Sequence, residues 1–94
     1  MRDEAQDRYG NTIYLTDERW NHIVKSHPKL KGHRAEVLKT VRAGKRAQDA
    51  VLPYKFYYNY PFQFLAPFQE IEVVVIFRWR QNQPNNFIVT AYPA

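Results

Sequence analysis

Over residues 70–80 apolar and polar positions alternate more regularly than anywhere else in the chain. Ile71, Val73, Val75, Phe77 and Trp79 fall on one parity, and Glu72, Val74, Ile76, Arg78 and Arg80 on the other. A period of two marks a strand, and apolar residues on both parities near its middle predict a central strand that is largely covered. Residues 55–60 alternate in the same way, Lys55, Tyr57 and Asn59 against Phe56, Tyr58 and Tyr60, and residues 87–92 read as a last strand. Nearer the N-terminus the period lengthens. Trp20, Ile23, Val24 and His27 recur at i, i+3, i+4 and i+7, which predicts a helix from Asp17 to about Ser26. Thr16 is its N-cap, Asp17 and Glu18 place negative charge in its first turn, and Pro28 disfavours helical geometry at His27. Val37, Leu38 and Val41 form the stripe of a second helix, from His33 or Arg34 to Ala43, with Gly44 as its left-handed stop.

Between these elements the pattern is weaker. Residues 12–15 read as a first strand or extended arm, 47–52 as an extended stretch closed by Pro53, and 61–67 as a loop rich in Phe. Residues 81–86 read as a polar turn and residues 1–11 as a mobile polar lead-in. Helices followed by strands imply a single α+β domain over residues 1–94. Its expected architecture is a pair of N-terminal helices packed on one face of a roughly four-stranded antiparallel sheet, with the other face free to meet a ligand.

Composition narrows the class. With 45% hydrophobic and 16% aromatic residues, 94 residues can fill one core. No apolar run reaches the ~18 residues that a membrane span needs. The opening Met1-Arg2-Asp3-Glu4 carries no apolar signal segment, so a cytoplasmic location is expected. The absence of cysteine excludes disulfides, thiolate chemistry and Cys-based metal sites. Fourteen Lys and Arg against nine Asp and Glu give a net charge of +5, a balance that attracts polyanions and favours nucleic acid as a prior, although many basic domains bind nothing anionic.

Candidate chemistry is sparse. There is no glycine-rich phosphate loop and no nucleophile elbow, so no cofactor is expected. His22, His27 and His33 are spaced by five and six, not by the four that sets two imidazoles on one helical face for zinc, so no metal site is expected either. His27 continues the apolar stripe to the helix end, where partial burial can tune an imidazole; it equally suits a plain C-terminal residue favoured by the helix dipole. His22 falls off the stripe, and His33 suits a loop or cap. Arg78 and Arg80 share a parity, as do Thr90 and Tyr92, and in a hairpin the four would converge on one end of the sheet. There the guanidinium groups would clamp a phosphodiester and the hydroxyls would orient it; the alternative is an arginine pair that keeps an edge soluble and a tyrosine that fills the core. Lys55 and Tyr57, within an aromatic run, suit base stacking beside a cation as well as a half-buried strand.

The stretch Ile13-Tyr14-Leu15-Thr16-Asp17-Glu18-Arg19-Trp20-Asn21-His22-Ile23, then His27-Pro28, the helix around Val37–Val41, and the ending Phe87-Ile88-Val89-Thr90-Ala91-Tyr92 resemble the phage-associated members of the barnase–EndoU–colicin–RelE-like nuclease superfamily. The resemblance implies a metal-independent ribonuclease of the toxin or defence-effector kind, with an antitoxin or immunity protein as a further partner. It brings forward His22 and His27 as active-site residues, with Arg78 and Thr90 on the sheet. Lys29 stands where that family often has Glu after His-Pro. In this reading His27 is general base or acid, His22 its partner or a phosphate ligand, and Arg78 and Arg80 the phosphate clamp. Thr90 and Tyr92 position the substrate. The alternative is a non-catalytic module that uses the same basic sheet face for RNA or an acidic protein.

Overall fold

The computed structural model describes residues 2–67 and 69–94. Strand β1 (Arg2–Gln6) and strand β2 (Thr12–Thr16) lead into helix α1 (Asp17–Ser26) and helix α2 (Arg34–Ala43), with a 3-10 turn at Pro28–Leu30 between the helices. Then come β3 (Lys45–Gln48), β4 (Lys55–Pro61), β5 (Glu70–Ile76), the short pair β6 (Trp79–Arg80) and β7 (Gln83–Pro84), and β8 (Asn86–Pro93). The α+β class and the two α-helices match the sequence pattern.

The sheet is larger than expected and mixed. Six strands lie in the order β1-β2-β8-β5-β4-β3, and β6 and β7 form a separate ribbon. All neighbours in the large sheet are antiparallel except β2 and β8, which pair in parallel through Ile13 with Asn86 and Tyr14 with Phe87. The expected mobile lead-in accounts for much of the difference, because Arg2–Gln6 is an edge strand paired along its length with β2. Only Ala5 of that strand is buried, so it carries no alternating apolar signal.

Capping chemistry sets the helices. The Thr16 hydroxyl accepts from Arg19 N–H at 3.1 Å, and His27 closes α1 with its N–H on the Ile23 carbonyl. Gly44 is not the left-handed stop expected. Its φ is −75° in extended backbone, and its N–H donates to the Thr40 carbonyl at 2.9 Å. Glycine is needed there for space, because a Cβ would stand 2.3 Å from the Thr40 carbonyl oxygen and 2.6 Å from that of Asn59.

α1 packs along β8, and α2 lies against β4, β5 and β1. Ile23, Val37 and Val41 on the helices meet Tyr58, Ile71, Val73, Val75, Ile88 and Ala91 on the sheet, all buried. A helix that touches β1, at one edge of the six-strand order, and β4, next to the other edge, requires the sheet to curl around it. Side chains close the curl. Asp7, just past β1, accepts a short hydrogen bond from the Tyr58 hydroxyl on β4, and Arg46 on β3 places a guanidinium nitrogen 3.7 Å from the same carboxylate. That carboxylate also accepts from the N–H groups of Tyr9 and Asn11 at 2.9 and 2.8 Å, which shapes the β1–β2 turn. Burial raises the Asp7 pKa, but hydrogen bonds from Tyr58, Asn11 and Tyr9 outweigh it and hold the group below its ordinary value.

Candidate active groove on the open sheet face

The face of the sheet turned away from the helices carries a shallow groove of about 480 Å³. Its floor is Val74, Ile76 and Val89, and its walls are Leu52, Tyr54, Lys55, Tyr57, Arg78, Thr90 and Tyr92. Strand pairing arranges these residues in rows across β4, β5 and β8. Lys55 pairs with Ile76 and Ile76 with Phe87; Tyr57 with Val74 and Val74 with Thr90; Asn59 with Glu72 and Glu72 with Tyr92. Successive rows are about 7 Å apart, two residues of strand rise.

A bulge in β8 shapes the middle row. Val74 pairs with Thr90 and Val75 with Ile88, so Val89 has no partner residue. The extra residue lets Ile88 and Ala91 both face the core while Val89 and Thr90 both line the groove.

Five of the residues expected at a site are therefore gathered here: Arg78, Thr90, Tyr92, Lys55 and Tyr57. His27 lies beside them rather than among them. Its ring centroid is 5.9 Å from that of Tyr92, and it shares an adjoining hollow of about 270 Å³ with Ser26, Pro28, Lys29 and Pro93. His22 is exposed on α1 and lines neither cavity. Arg80 is exposed and stands outside the groove on β6.

The expected convergence of Arg78, Arg80, Thr90 and Tyr92 on one end of the sheet is not what forms. The strand taken as running to Arg80 stops at Ile76, and the chain turns into the β6–β7 ribbon. Gln81 and Asn82 both take positive φ, 51° and 62°, the geometry of a tight hairpin turn that ends the alternation. Thr90 and Tyr92, paired with Val74 and Glu72, run toward the other end. Arg78 and Lys55 thus mark a cationic end of the groove and Tyr92 its opposite end, with Glu72 paired to Tyr92 and the His27 ring against it from outside.

Polar contacts fix both ends. The Tyr57 hydroxyl donates to Asp49 at 2.6 Å, and that carboxylate also accepts from the N–H groups of Val51 and Leu52 at 3.0 and 2.9 Å. These bonds, Tyr57 foremost, pull the Asp49 pKa down to about 2. The Lys55 ammonium sits 5.5 Å from the Tyr57 ring centroid. At the far end, burial raises the Tyr92 pKa, and the charge of Glu72 together with a hydrogen bond to it adds to the rise. Glu72 and Asp49 are carboxylates beside the groove that sequence reasoning passed over. Glu72 shares the parity of Arg78 and stands between Ile71 and the apolar run Val73–Phe77, a signal that was present. Asp49 offers none before the turn is seen.

Among the described residues, no group of three or more His, Cys, Asp or Glu side chains is set to hold a metal ion, and no helix is long and apolar enough to cross a membrane. No family model, curated protein or solved structure matches the chain.

Proposed function

We propose that this domain is a metal-independent endoribonuclease that cleaves RNA through the ribose 2′-hydroxyl. The observation that carries the reading is the junction at Tyr92, where a histidine ring and a carboxylate meet one end of a groove lined by Lys55 and Arg78. Such cleavage needs a base to take the 2′-hydroxyl proton, an acid to protonate the departing 5′-oxygen, and cations for the phosphate. His27 and Glu72 supply the two proton-transfer groups. The 2′-oxygen attacks phosphorus, the bond to the 5′-oxygen breaks, and the products are a 2′,3′-cyclic phosphate and a 5′-hydroxyl. Thr90 and Tyr92 orient the ribose and phosphate, while Lys55 and Arg78 hold the flanking backbone. In this reading His22, exposed on α1, and Arg80, on β6, are assigned no step. A toxin or defence effector of this kind works with an antitoxin or immunity protein that occludes the groove, and a cytoplasmic setting gives it access to RNA.

A second reading is favoured by one observation: His27 meets Tyr92 from outside the groove, at the end away from Arg78, so the same face suits RNA binding without cleavage. Incubation of end-labelled RNA with the protein in EDTA decides between them. The nuclease reading expects fragments ending in cyclic phosphate, no cleavage of a fully 2′-O-methylated strand, and a loss of about 100-fold or more in rate with His27→Ala. Tight binding that leaves the RNA intact selects the binding module. Cleavage unaffected by both His27→Ala and Glu72→Gln removes these residues from the mechanism.

A further inference from the structure

Beyond the cationic end of the groove the surface changes character. Trp79 is 75% exposed, between Arg78 and Arg80, on an ordered two-residue strand rather than a loose loop. Its ribbon is closed by pairing of Trp79 with Pro84 and Arg80 with Gln83, and by the Asn85 N–H on the Arg78 carbonyl at 2.8 Å. Beside it, the β3–β4 turn exposes Val51, Leu52 and Tyr54, and the Tyr54 carbonyl accepts from Phe77 N–H at 2.8 Å. That bond ties the turn to the segment from which the ribbon departs. Single exposed apolar residues are ordinary, but an exposed tryptophan on this ribbon and an exposed tyrosine on the turn bonded to the root of the ribbon are not explained by packing.

Charge selects the occupant. Residues 50–69 and 73–94 contain no Asp or Glu at all, and Lys55, Arg78 and Arg80 are the charged side chains within them. Among the described residues neither Arg78 nor Arg80 has a carboxylate partner. The Asp49 carboxylate nearby is engaged by Tyr57 and two backbone N–H groups. Exposed ring faces interleaved with unpaired guanidinium groups suit nucleotides whose bases are free to stack, whereas a duplex keeps its base faces buried.

We propose that the Trp79 ribbon and the Tyr54 turn form a stacking platform for unpaired nucleotides, so that the strand bound in the groove is single-stranded and continues past Arg78 onto Trp79. This rests on the groove binding RNA, but not on its cleaving RNA. The test therefore uses a 2′-O-methylated 12-nucleotide strand, which has no free 2′-hydroxyl, and reads tryptophan fluorescence. Saturating strand quenches the emission of the wild-type protein, while Trp79→Ala, which retains Trp20, shows no quenching and binds about tenfold more weakly by anisotropy. Trp79→Phe keeps most of the affinity, and a blunt duplex of the same sequence binds markedly less well than the single strand. Circular dichroism shows the variants folded, as expected for a side chain so exposed.

Equal affinity for duplex and single strand overturns the proposal, as does unchanged affinity in Trp79→Ala. Self-association of the wild type that is lost in Trp79→Ala, with no response to the strand, assigns the indole to a protein contact and overturns it too. Cleavage of RNA without any tryptophan response leaves the nuclease reading standing and removes this one. Quenching by the strand without cleavage of RNA does the reverse.

Discussion

Asp7 shows how much one side chain can organise. It is a charged group with a fully buried side chain, and its partners come from its own turn, from Tyr58 and from Arg46. Removing such a group strands a phenol and a guanidinium that were desolvated to meet it, so Asp7→Ala should destabilise the protein by about 3 kcal/mol, measured by urea unfolding. Tyr58→Phe leaves one carboxylate oxygen short of a donor and should cost about 1–2 kcal/mol. The pH dependence follows from the direction of the shift. A carboxyl whose folded pKa lies below the unfolded value of 3.8 stabilises the fold above that value and loses the contribution as pH falls through the folded pKa. The stability gap between wild type and Asp7→Asn should therefore be constant from about pH 7 to 5 and shrink below about pH 4. Tyr58 has the opposite sign: its pKa is raised by burial first and then by its bond to Asp7, so its contribution persists below pH 10 and fades above it.

At the level of elements, Gly44 is the sharpest test. It joins α2 to β3 where the backbones of Thr40 and Asn59 leave no room for a Cβ. Gly44→Ala should lower stability by about 2 kcal/mol or more, because backbone rather than a pliant side chain must move. By contrast Gly10, at φ +87° with open space around it, should cost only about 1 kcal/mol when changed to Ala. Thermal unfolding of the two variants measures the difference. The sequence pattern made the helices legible to within about a residue, since the Thr16 cap and stripes of period 3.6 announce themselves through neighbours in the chain. It also gave the strand parities of β4 and β5. Three things were not legible. A polar edge strand such as β1 presents no period; the end of β5 at Ile76, short of the polar turn read at 81–86, leaves no mark on the alternation; and the Val89 bulge depends on pairing with a strand more than ten residues away. Each is decided by tertiary contact, which a local pattern does not contain.

For the whole molecule, the same distinction governs the candidate site. Thr90, Tyr92, Lys55 and Tyr57 could be named in advance because each sits on a strand whose parity was readable; Arg78, just past the end of β5, keeps the parity of that strand and joins them on one face. Their spacing along that face could not be named, since it depends on where β5 ends and how β8 registers against it. The order of strands has one further consequence. β8 is the last of the strands in chain order, yet it lies between β2 and β5 and is the seam joining the N-terminal strands to the rest. Folding must hold β1, β2 and both helices in suspense until that segment has been synthesised and inserted, a long-range closure of the kind that slows folding. A ribosome-stalled chain whose exposed portion stops at Asn85 should accordingly be protease-sensitive throughout, and protection should arrive in one step as the final strand emerges.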